Sequence, residues 1–417
     1  MSFWDVESRK PRGLDDWRRS VRSACAWITD RSMVREPQPD FAGSQYEHLK
    51  RYGDWRGAFR GEYSAAQRRW DVYAPMWHGG QGVKALALAA AALGDPACLD
   101  AARYAAEFIL RHQVRDPNDP DRGLLLAFEN ARINTTAILE TVDGLFVLSE
   151  VSGEKRYNDA GLAAADWVAR KAFKPEEGRF REEYDPDQRR FSPPYVNPAT
   201  GRTKEGAPML DDGIFVKAHR LTGNQAYLDI AVRTAERLLA DEDPPGNWVC
   251  YPPANPNTRV LHPRNGYWWG RPMWMVAKAT GESRFLDAAR RTAQWYAQAM
   301  RLDGGLFRDT GPAFNTPSFG HATSGIACAA ILWCELMREF GDTQWREPLR
   351  RALTFCYSAQ FDKAADPNLQ GAILEKVRHP CGSDAPPWYL RDIGTFFYVQ
   401  AACTVLRDMP ALLCEDK

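Results

Sequence analysis

The chain has 417 residues, of which 44% are hydrophobic and 26% charged, a composition typical of a soluble globular protein with a large core. Lysine and arginine number 54, as do aspartate and glutamate, so the formal net charge is zero. A neutral chain gives no electrostatic support for nucleic-acid binding. No run of 18 or more apolar residues occurs, and we expect no membrane span.

The polar, charged start of the chain, residues 1–17, has no apolar core of the kind that a secretory signal requires. The nine cysteines are scattered and show neither CxxC nor zinc-ligand spacing. We therefore expect free thiols in a reducing cytoplasm, with no metal and no cofactor.

A repeat with a period near 60 residues organises the chain. Each copy has a glycine, a bulky side chain four residues later and an acid six residues later. The copies are GDPACLD (94–100), GEKRYND (153–159), GNQAYLD (223–229), GESRFLD (281–287) and GDTQWRE (341–347). A glycine suits the left-handed position that ends a helix, and an acid suits the first turn of the next. Each copy therefore predicts the corner of an antiparallel helical hairpin.

The helix before each glycine is apolar throughout, which predicts an inner layer at 81–93, 134–150, 210–222, 267–280 and 323–339. The helices after the glycines carry charge on one face and predict an outer layer. The two ends of the chain supply a sixth pair, with 15–30 as the outer helix and 391–407 as the inner one. We predict an all-α fold, an (α/α)6 barrel formed by residues 1–417 as one domain. An open solenoid of the same hairpins is the alternative.

Six segments of low periodicity precede the six inner helices, at 37–80, 114–133, 174–208, 241–266, 302–322 and 361–390. Because all of them precede inner helices, they must lie at the same end of the barrel. Long loops gathered on a rigid scaffold commonly form a site, and we expect the site there. The acidic stretch 180–191 within the third segment predicts a solvated lid or rim.

Two aspartates are the leading candidates for catalysis. The sequence DGLFV at 143–147 is echoed by DGIFV at 212–216, so Asp143 and Asp212 are predicted to occupy equivalent positions early in consecutive inner helices. Two carboxylates that face one cavity suit acid/base chemistry on sugars. Asp211 is the natural substitute for Asp212. If both acids only cap their helices, this interpretation fails.

Other candidates lie where the long segments meet the inner helices. His78, within WHGGQG (77–82), is predicted at the rim as a third catalytic residue, since histidine can shuttle a proton. Arg271 is suited to a bidentate contact with a uronate carboxylate, and paired tryptophans to stacking on a sugar. The candidate substrate-binding residues are Asp211, Trp77, Gln81, Glu129, Asn130, Asn134, Tyr267, Trp268, Trp269, Arg271, His321 and Arg391.

The TGxxxYLD corners and the inner helix that opens with LDDGIF (210–215) resemble the six-hairpin glycosidases, and especially the unsaturated glucuronyl and rhamnogalacturonyl hydrolases. The resemblance implies an (α/α)6 barrel without a metal, a proton donor and water-activating base at Asp212, and a partner acid at Asp143. It also implies protonation of the enol ether of a 4,5-unsaturated uronyl residue, then hydration and ring opening. The expected partner is a small oligosaccharide, bound by a monomer or homodimer.

Three other functions remain open. A sugar 2-epimerase on the same barrel uses paired histidines, for which only His78 and His321 are well placed. A uronate lyase uses a histidine or tyrosine, for which His78, Tyr73 or Tyr267 is suited. A non-catalytic sugar-binding scaffold predicts a groove without convergent acids.

Overall fold

Five glycines end five helices in the left-handed conformation that the repeat predicts. Gly94, Gly153, Gly223, Gly281 and Gly341 have φ angles between 64° and 78°. This region is open to glycine without steric cost, so the chain turns tightly at each position. The hairpin prediction is confirmed at all five corners.

The computed structural model describes residues 9–40, 48–129, 131–193, 195, 206–315, 320, 322–375 and 386–414. Twelve α-helices lie within these ranges and alternate between an outer and an inner layer. In chain order they are α1 (Leu14–Trp27), α2 (Pro75–Leu93), α3 (Pro96–Arg111), α4 (Thr135–Ser152), α5 (Lys155–Lys171), α6 (Ile214–Thr222), α7 (Gln225–Asp241), α8 (Met273–Thr280), α9 (Ser283–Ala299), α10 (Thr323–Phe340), α11 (Arg346–Ser358) and α12 (Ile393–Asp408).

The even-numbered helices form a closed inner ring. Consecutive inner helices contact each other directly or through the turn that leads into one of them, and α12 packs against α2. The odd-numbered helices lie outside, each against its hairpin partner, and α1 packs on α12 to complete the sixth pair. The contact between α12 and α2 decides for the (α/α)6 barrel and against the open solenoid.

Short antiparallel strands lie in the segments between the hairpins. They are β1 (Glu62–Ser64), β2 (Arg69–Asp71), β3 (Ile133–Asn134), β4 (Phe173–Lys174), β5 (Arg179–Phe180), β6 (Glu183–Asp185), β7 (Arg190–Phe191) and β8 (Tyr389–Arg391). The sheet orders are β2–β1–β8, β3–β6–β7 and β4–β5. Because β8 pairs with β1, the segments before the last and the first inner helices are also joined. The predicted lid at 180–191 is largely this β6–β7 hairpin, with Tyr184 and Asp185 buried.

Two inner helices are shorter than predicted. The prediction placed helix over 210–222 and 267–280, but α6 begins at Ile214 after a 3-10 turn at Asp211–Gly213, and α8 begins at Met273 after a π-helical turn at Gly266–Gly270. Asp212 therefore lies in the turn before α6 and not, as predicted, within the helix. Asp212 itself has a φ of 50° and a ψ of 11°, a left-handed conformation that breaks the helix.

Glycines allow the backbones of α2 and α4 to touch. A Cβ on Gly80 would lie 2.3 Å from the Cα of Thr141, and one on Gly144 would lie 2.1 Å from the carbonyl oxygen of Gly80. By contrast, a Cβ on Gly79 would meet only the side chain of Ile109, at 3.7 Å. The close approach expected from the two adjacent glycines thus belongs to Gly80 alone.

Gly80→Ala is expected to lower the free energy of unfolding by about 1–3 kcal/mol, because the new methyl group must push two helix backbones apart. The matched control is Gly79→Ala in the same turn, where an alanine adds helix propensity in ordinary contact and is expected to be neutral or stabilising. Urea denaturation of both variants measures the difference. Equal stabilities would contradict this account of the α2–α4 contact.

Candidate active site

A cavity of about 410 Å³ lies at the end of the barrel where the six long segments precede the inner helices. Its volume falls in the range of roughly 300–1,000 Å³ common for small-molecule sites. Every one of the six segments, or the helix start that follows it, contributes to the wall. The lining residues are Tyr73, Trp77, Glu129, Asn134, Thr136, Glu140, Glu182, Ala207, Asp211, Pro252, Pro253, His262, Arg264, Trp268, Trp269, Arg308, Glu375 and Arg391.

Two buried carboxyl groups of the cavity wall, those of Glu140 and Asp211, have raised pKa values. Burial raises the pKa of Glu140 to about 8, although the nearby charge of Arg264 opposes the shift. Burial also raises the pKa of Asp211 well above its ordinary value, and the charge of Glu140 adds to the effect. Trp77 Nε1 donates a hydrogen bond to Glu140, whereas neither carboxyl oxygen of Asp211 accepts one from another described residue. Asp211 therefore presents an unengaged carboxyl group to the cavity.

One arginine of the wall, Arg264, is buried and forms no ion pair with another described residue. The guanidinium carbon of Arg264 lies 4.6 Å from the ring centres of both Trp77 and Trp268, so the group is held between two indoles. It is 6% exposed, and its Nε has no hydrogen-bond partner among the described residues. A buried cation in this state is a natural receptor for an anionic ligand group.

The opposite wall is polar and firmly held. Ser324, at the start of α10, donates to Glu375 from both its backbone N–H and its hydroxyl, at 2.7 Å each. Arg391 Nε donates to Glu62 at 2.8 Å, and its guanidinium stacks 3.6 Å from the ring centre of Tyr73. These contacts fix the side chains before any ligand binds, as a preorganised site requires.

The two predicted catalytic aspartates, Asp143 and Asp212, lie in a buried ion network farther along the barrel. Lys84 Nζ lies 2.6 Å from Asp143 Oδ2, 3.2 Å from Asp212 Oδ1 and 2.8 Å from the hydroxyl of Tyr267. Arg271 joins Asp212 Oδ1, at 2.7 Å, to Glu335. Asp143 lies in the middle of α4, so the prediction that it heads an inner helix is wrong.

The network sets the charge of Asp212. Burial alone would favour its neutral form, but the charges of Lys84, Arg271 and Lys217 outweigh burial and lower the pKa of its carboxyl. The two adjacent aspartates thus differ, since the pKa of Asp212 is lowered and that of Asp211 is raised. Asp212 and Asp143 are not among the residues that line the cavity.

His78 and Gln81 connect the first and last inner helices. His78 Nδ1 donates to Asp392 Oδ1 at 2.5 Å, and both side chains are fully buried. Gln400 donates to the side-chain oxygen of Gln81 at 3.0 Å, and Gln81 donates to the carbonyl of Glu140 at 3.2 Å. The expected rim position of His78 is wrong, because this histidine lies behind Trp77 within the barrel wall.

The predicted site residues therefore fall into three groups. Those that line the cavity are Asp211, Trp77, Glu129, Asn134, Trp268, Trp269 and Arg391. Those buried behind or below it are Asp212, Asp143, His78, Gln81, Tyr267 and Arg271. Asn130 and His321 lie outside the described residues.

The sequence analysis missed the two groups that most distinguish the cavity. Glu140 lies one helical turn before Asp143 and on the same face, so the i, i+3 spacing would have pointed to it. Arg264 precedes Trp268 by four residues on the helical turn that leads to Tyr267, and it was overlooked because Arg271 follows the same tryptophans. The spacing of Glu140 and the position of Arg264 point to site residues only when the burial of both side chains is known.

No protein-family model matches the chain, and no curated protein matches its sequence. Solved structures do match. An unsaturated glucuronyl hydrolase specific for heparin superposes with a TM-score of 0.66 at 14% identity, over 94% of this chain and 97% of its own. A glycosaminoglycan-degrading unsaturated glucuronyl hydrolase from Bacillus sp. GL1 gives 0.64 at 16% identity, over 94% and 97%. Cellobiose 2-epimerase from Spirochaeta thermophila DSM 6192 gives 0.66 at 14%, over 95% and 98%.

This chain has the six-hairpin glycosidase fold. The predicted architecture and resemblance are confirmed at that level. Because hydrolases and an epimerase share the six-hairpin glycosidase fold at these low identities, the reaction must be argued from the side chains of the cavity.

Two kinds of feature are absent from the described residues. No helix among them is long and apolar enough to cross a membrane. No cluster of three or more histidine, cysteine, aspartate or glutamate side chains within the same ranges has the arrangement of a metal site.

The raised pKa of Glu140 predicts how stability depends on pH. Its ordinary value is 4.5 and its folded value is about 8, so the folded state binds a proton that the unfolded state releases. Its contribution is present in full below pH 4.5 and is lost as pH rises through 8. We expect urea midpoints of the wild type to fall across this window, and those of Glu140→Gln to fall less. Glu339→Gln, at a residue whose pKa is lowered, is the control and should keep the wild-type decline.

Proposed function

We propose that this protein is a glycoside hydrolase that acts on oligosaccharides with a terminal uronate residue. The observation that carries the proposal is the pair Asp211 and Glu140, two buried carboxyl groups with raised pKa values on one wall of a cavity that also contains the unpaired guanidinium of Arg264.

Asp211 is the proposed general acid. A carboxylic acid with a raised pKa can donate its proton as a glycosidic bond breaks, or to the enol ether of an unsaturated uronyl residue. Neither carboxyl oxygen accepts a hydrogen bond from another described residue, and both are buried at the cavity wall, so a ligand that enters the cavity would supply their missing partner. Once deprotonated, the carboxylate can take a proton from the attacking water. Glu140, on the same wall, is its proposed partner.

Arg264 is the proposed receptor for the uronate carboxylate. Its guanidinium is already desolvated and fixed between Trp77 and Trp268, so a substrate carboxylate would complete an ion pair without reordering the side chain. Arg308 and Arg391 also line the cavity and favour an anionic ligand.

The alternatives receive less support. A 2-epimerase with paired histidines requires two in the cavity, and among the described lining residues His262 alone is a histidine. A sugar-binding scaffold would lack convergent acids, yet five carboxyl side chains line the cavity. The expectation that Asp212 and Asp143 perform the catalysis stays a prediction, but Lys84 and Arg271 hold Asp212 ionised and favour its neighbour Asp211 as the acid.

The cellular compartment is proposed from the state of the cysteines. The eight cysteines in the described ranges are free thiols, which fits a reducing compartment such as the cytoplasm. The proposed partner is a small oligosaccharide, and the protein that binds it is proposed to be a monomer or homodimer.

Asp211→Asn is expected to lower kcat by about 100-fold or more, because an amide cannot donate the catalytic proton. Turnover is measured on a panel of unsaturated uronyl oligosaccharides as the loss of their ultraviolet absorbance. Glu339→Gln, at the surface near Lys278, serves as the control with unchanged turnover. A rise in absorbance from saturated substrates would indicate a lyase instead, and full activity of Asp211→Asn would refute the assigned acid.

Arg264→Gln is expected to raise KM for uronate substrates by about 10-fold or more, because a charge-assisted hydrogen bond to the carboxylate contributes about 1.5–3 kcal/mol. Neutral analogues in which the carboxylate is reduced to an alcohol should bind the wild type and this variant about equally. A loss that is the same for both substrates would show that Arg264 only supports the tryptophans.

A further inference from the structure

The adjacent residues Asp211 and Asp212 have opposite surroundings although both are buried. Asp212 Oδ1 receives Lys84 Nζ at 3.2 Å and Arg271 Nη1 at 2.7 Å. The carboxyl of Asp211 faces the cavity and has no such partner. The ion pairs of Asp212 therefore fix one side chain of the pair and leave the other free for a ligand.

The backbone between them explains how the two side chains diverge. Asp212 and Gly213 are both left-handed, with φ angles of 50° and 65°. Aspartate and asparagine adopt this region more readily than most residues, but it remains a strained conformation that the surroundings must maintain. Gly213 fits closely there, since a Cβ would lie 2.4 Å from Met275 Sδ.

The ion network maintains the turn from three sides. Lys84 comes from α2, Arg271 precedes α8, and Lys217 on α6 pairs with Asp143 on α4. Lys84 donates hydrogen bonds to Asp212 and Tyr267 and forms an ion pair with Asp143, so three partners surround its ammonium group. The side chain of Asp212 is therefore attached to helices on several sides of the barrel.

We propose that Lys84, Arg271 and Asp212 are positioning residues for the general acid. Their ion pairs hold the left-handed turn that directs Asp211 into the cavity, and they fix the charged carboxylate of Asp212 beside it. This inference rests on the proposed function of Asp211 and assigns a role to the three residues, which contact no substrate.

Asp212→Asn tests the proposal because asparagine keeps the shape and tolerates the left-handed turn while the charge is lost. Without the neighbouring negative charge, the alkaline limb of the kcat–pH profile is expected to move down by about one pH unit or more. The control is Asp342→Asn, which removes a buried aspartate paired with Arg290 at 2.8 Å in the hairpin corner at 341–347. That variant should lose stability without a shift of the profile.

Lys84→Gln is a second variant, for which the alkaline limb of the kcat–pH profile is expected to move in the opposite direction. Arg271 still pairs with Asp212, so the carboxylate stays ionised, and the loss of a positive charge is expected to move the same limb to higher pH. A general loss of stability cannot shift the limb in opposite directions in the two variants. An unchanged profile in both, or an inactive Asp212→Asn alongside an active Asp211→Asn, would overturn the proposal.

Infrared titration separates this proposal from the proposed function, because it needs no turnover. The wild type should show a protonated carboxyl component that Asp211→Asn removes while the component of Glu140 remains, and Asp212→Asn should titrate the Asp211 component at lower pH. A wild type that hydrolyses no substrate but shows this shift would refute the hydrolase and support the positioning. A band that titrates alike in wild type and Asp212→Asn would refute the positioning.

Discussion

The ammonium group of Lys84 lies inside the barrel, between two carboxylates and a phenol, and the inner ring is arranged around it. Its partners are Asp143, Asp212 and Tyr267, which come from three different parts of the ring. A buried charge is tolerated only where its partners complete its ion pairs and hydrogen bonds, and removal of one partner commonly costs about 3–5 kcal/mol. This requirement fixes how α2, α4 and the turn before α6 lie relative to one another.

The relative positions of those helices also determine which side chains line the cavity. Once Asp212 is tied to the network, the preceding residue can point only toward the mouth of the barrel, where Asp211 lies beside Glu140. The same wall holds Arg264 between two indoles. A buried carboxyl group without a hydrogen-bond partner and a buried guanidinium without an ion pair, both judged among the described residues, are unfavourable arrangements in the free protein. Such arrangements are typical of functional sites, where a ligand completes the missing interactions.

The architecture was predictable because it repeats. Five glycine corners, five apolar helices and a complementary pair of chain ends define six hairpins, and helix periodicity alone decides which layer each helix joins. Seven of the predicted site residues line the cavity, because any polar or aromatic residue just before an inner helix must lie near the mouth. The same rule could not separate Asp211 from Asp212, since a local left-handed turn at Asp212 and Gly213 decides which side chain faces the mouth.

The sequence by itself determined the ring of hairpins, the end of the barrel that contains the site and the segments that line it, because these follow from periodicity and chain connectivity. Only the tertiary structure decided which carboxyl groups have a raised pKa and which have a lowered one. Asp211 and Asp212 are identical in type and adjacent in the chain, but Lys84 and Arg271 approach only one of them. The pKa of a buried acid depends on the charges and the solvent that surround it, and these neighbours come from residues far apart in the sequence.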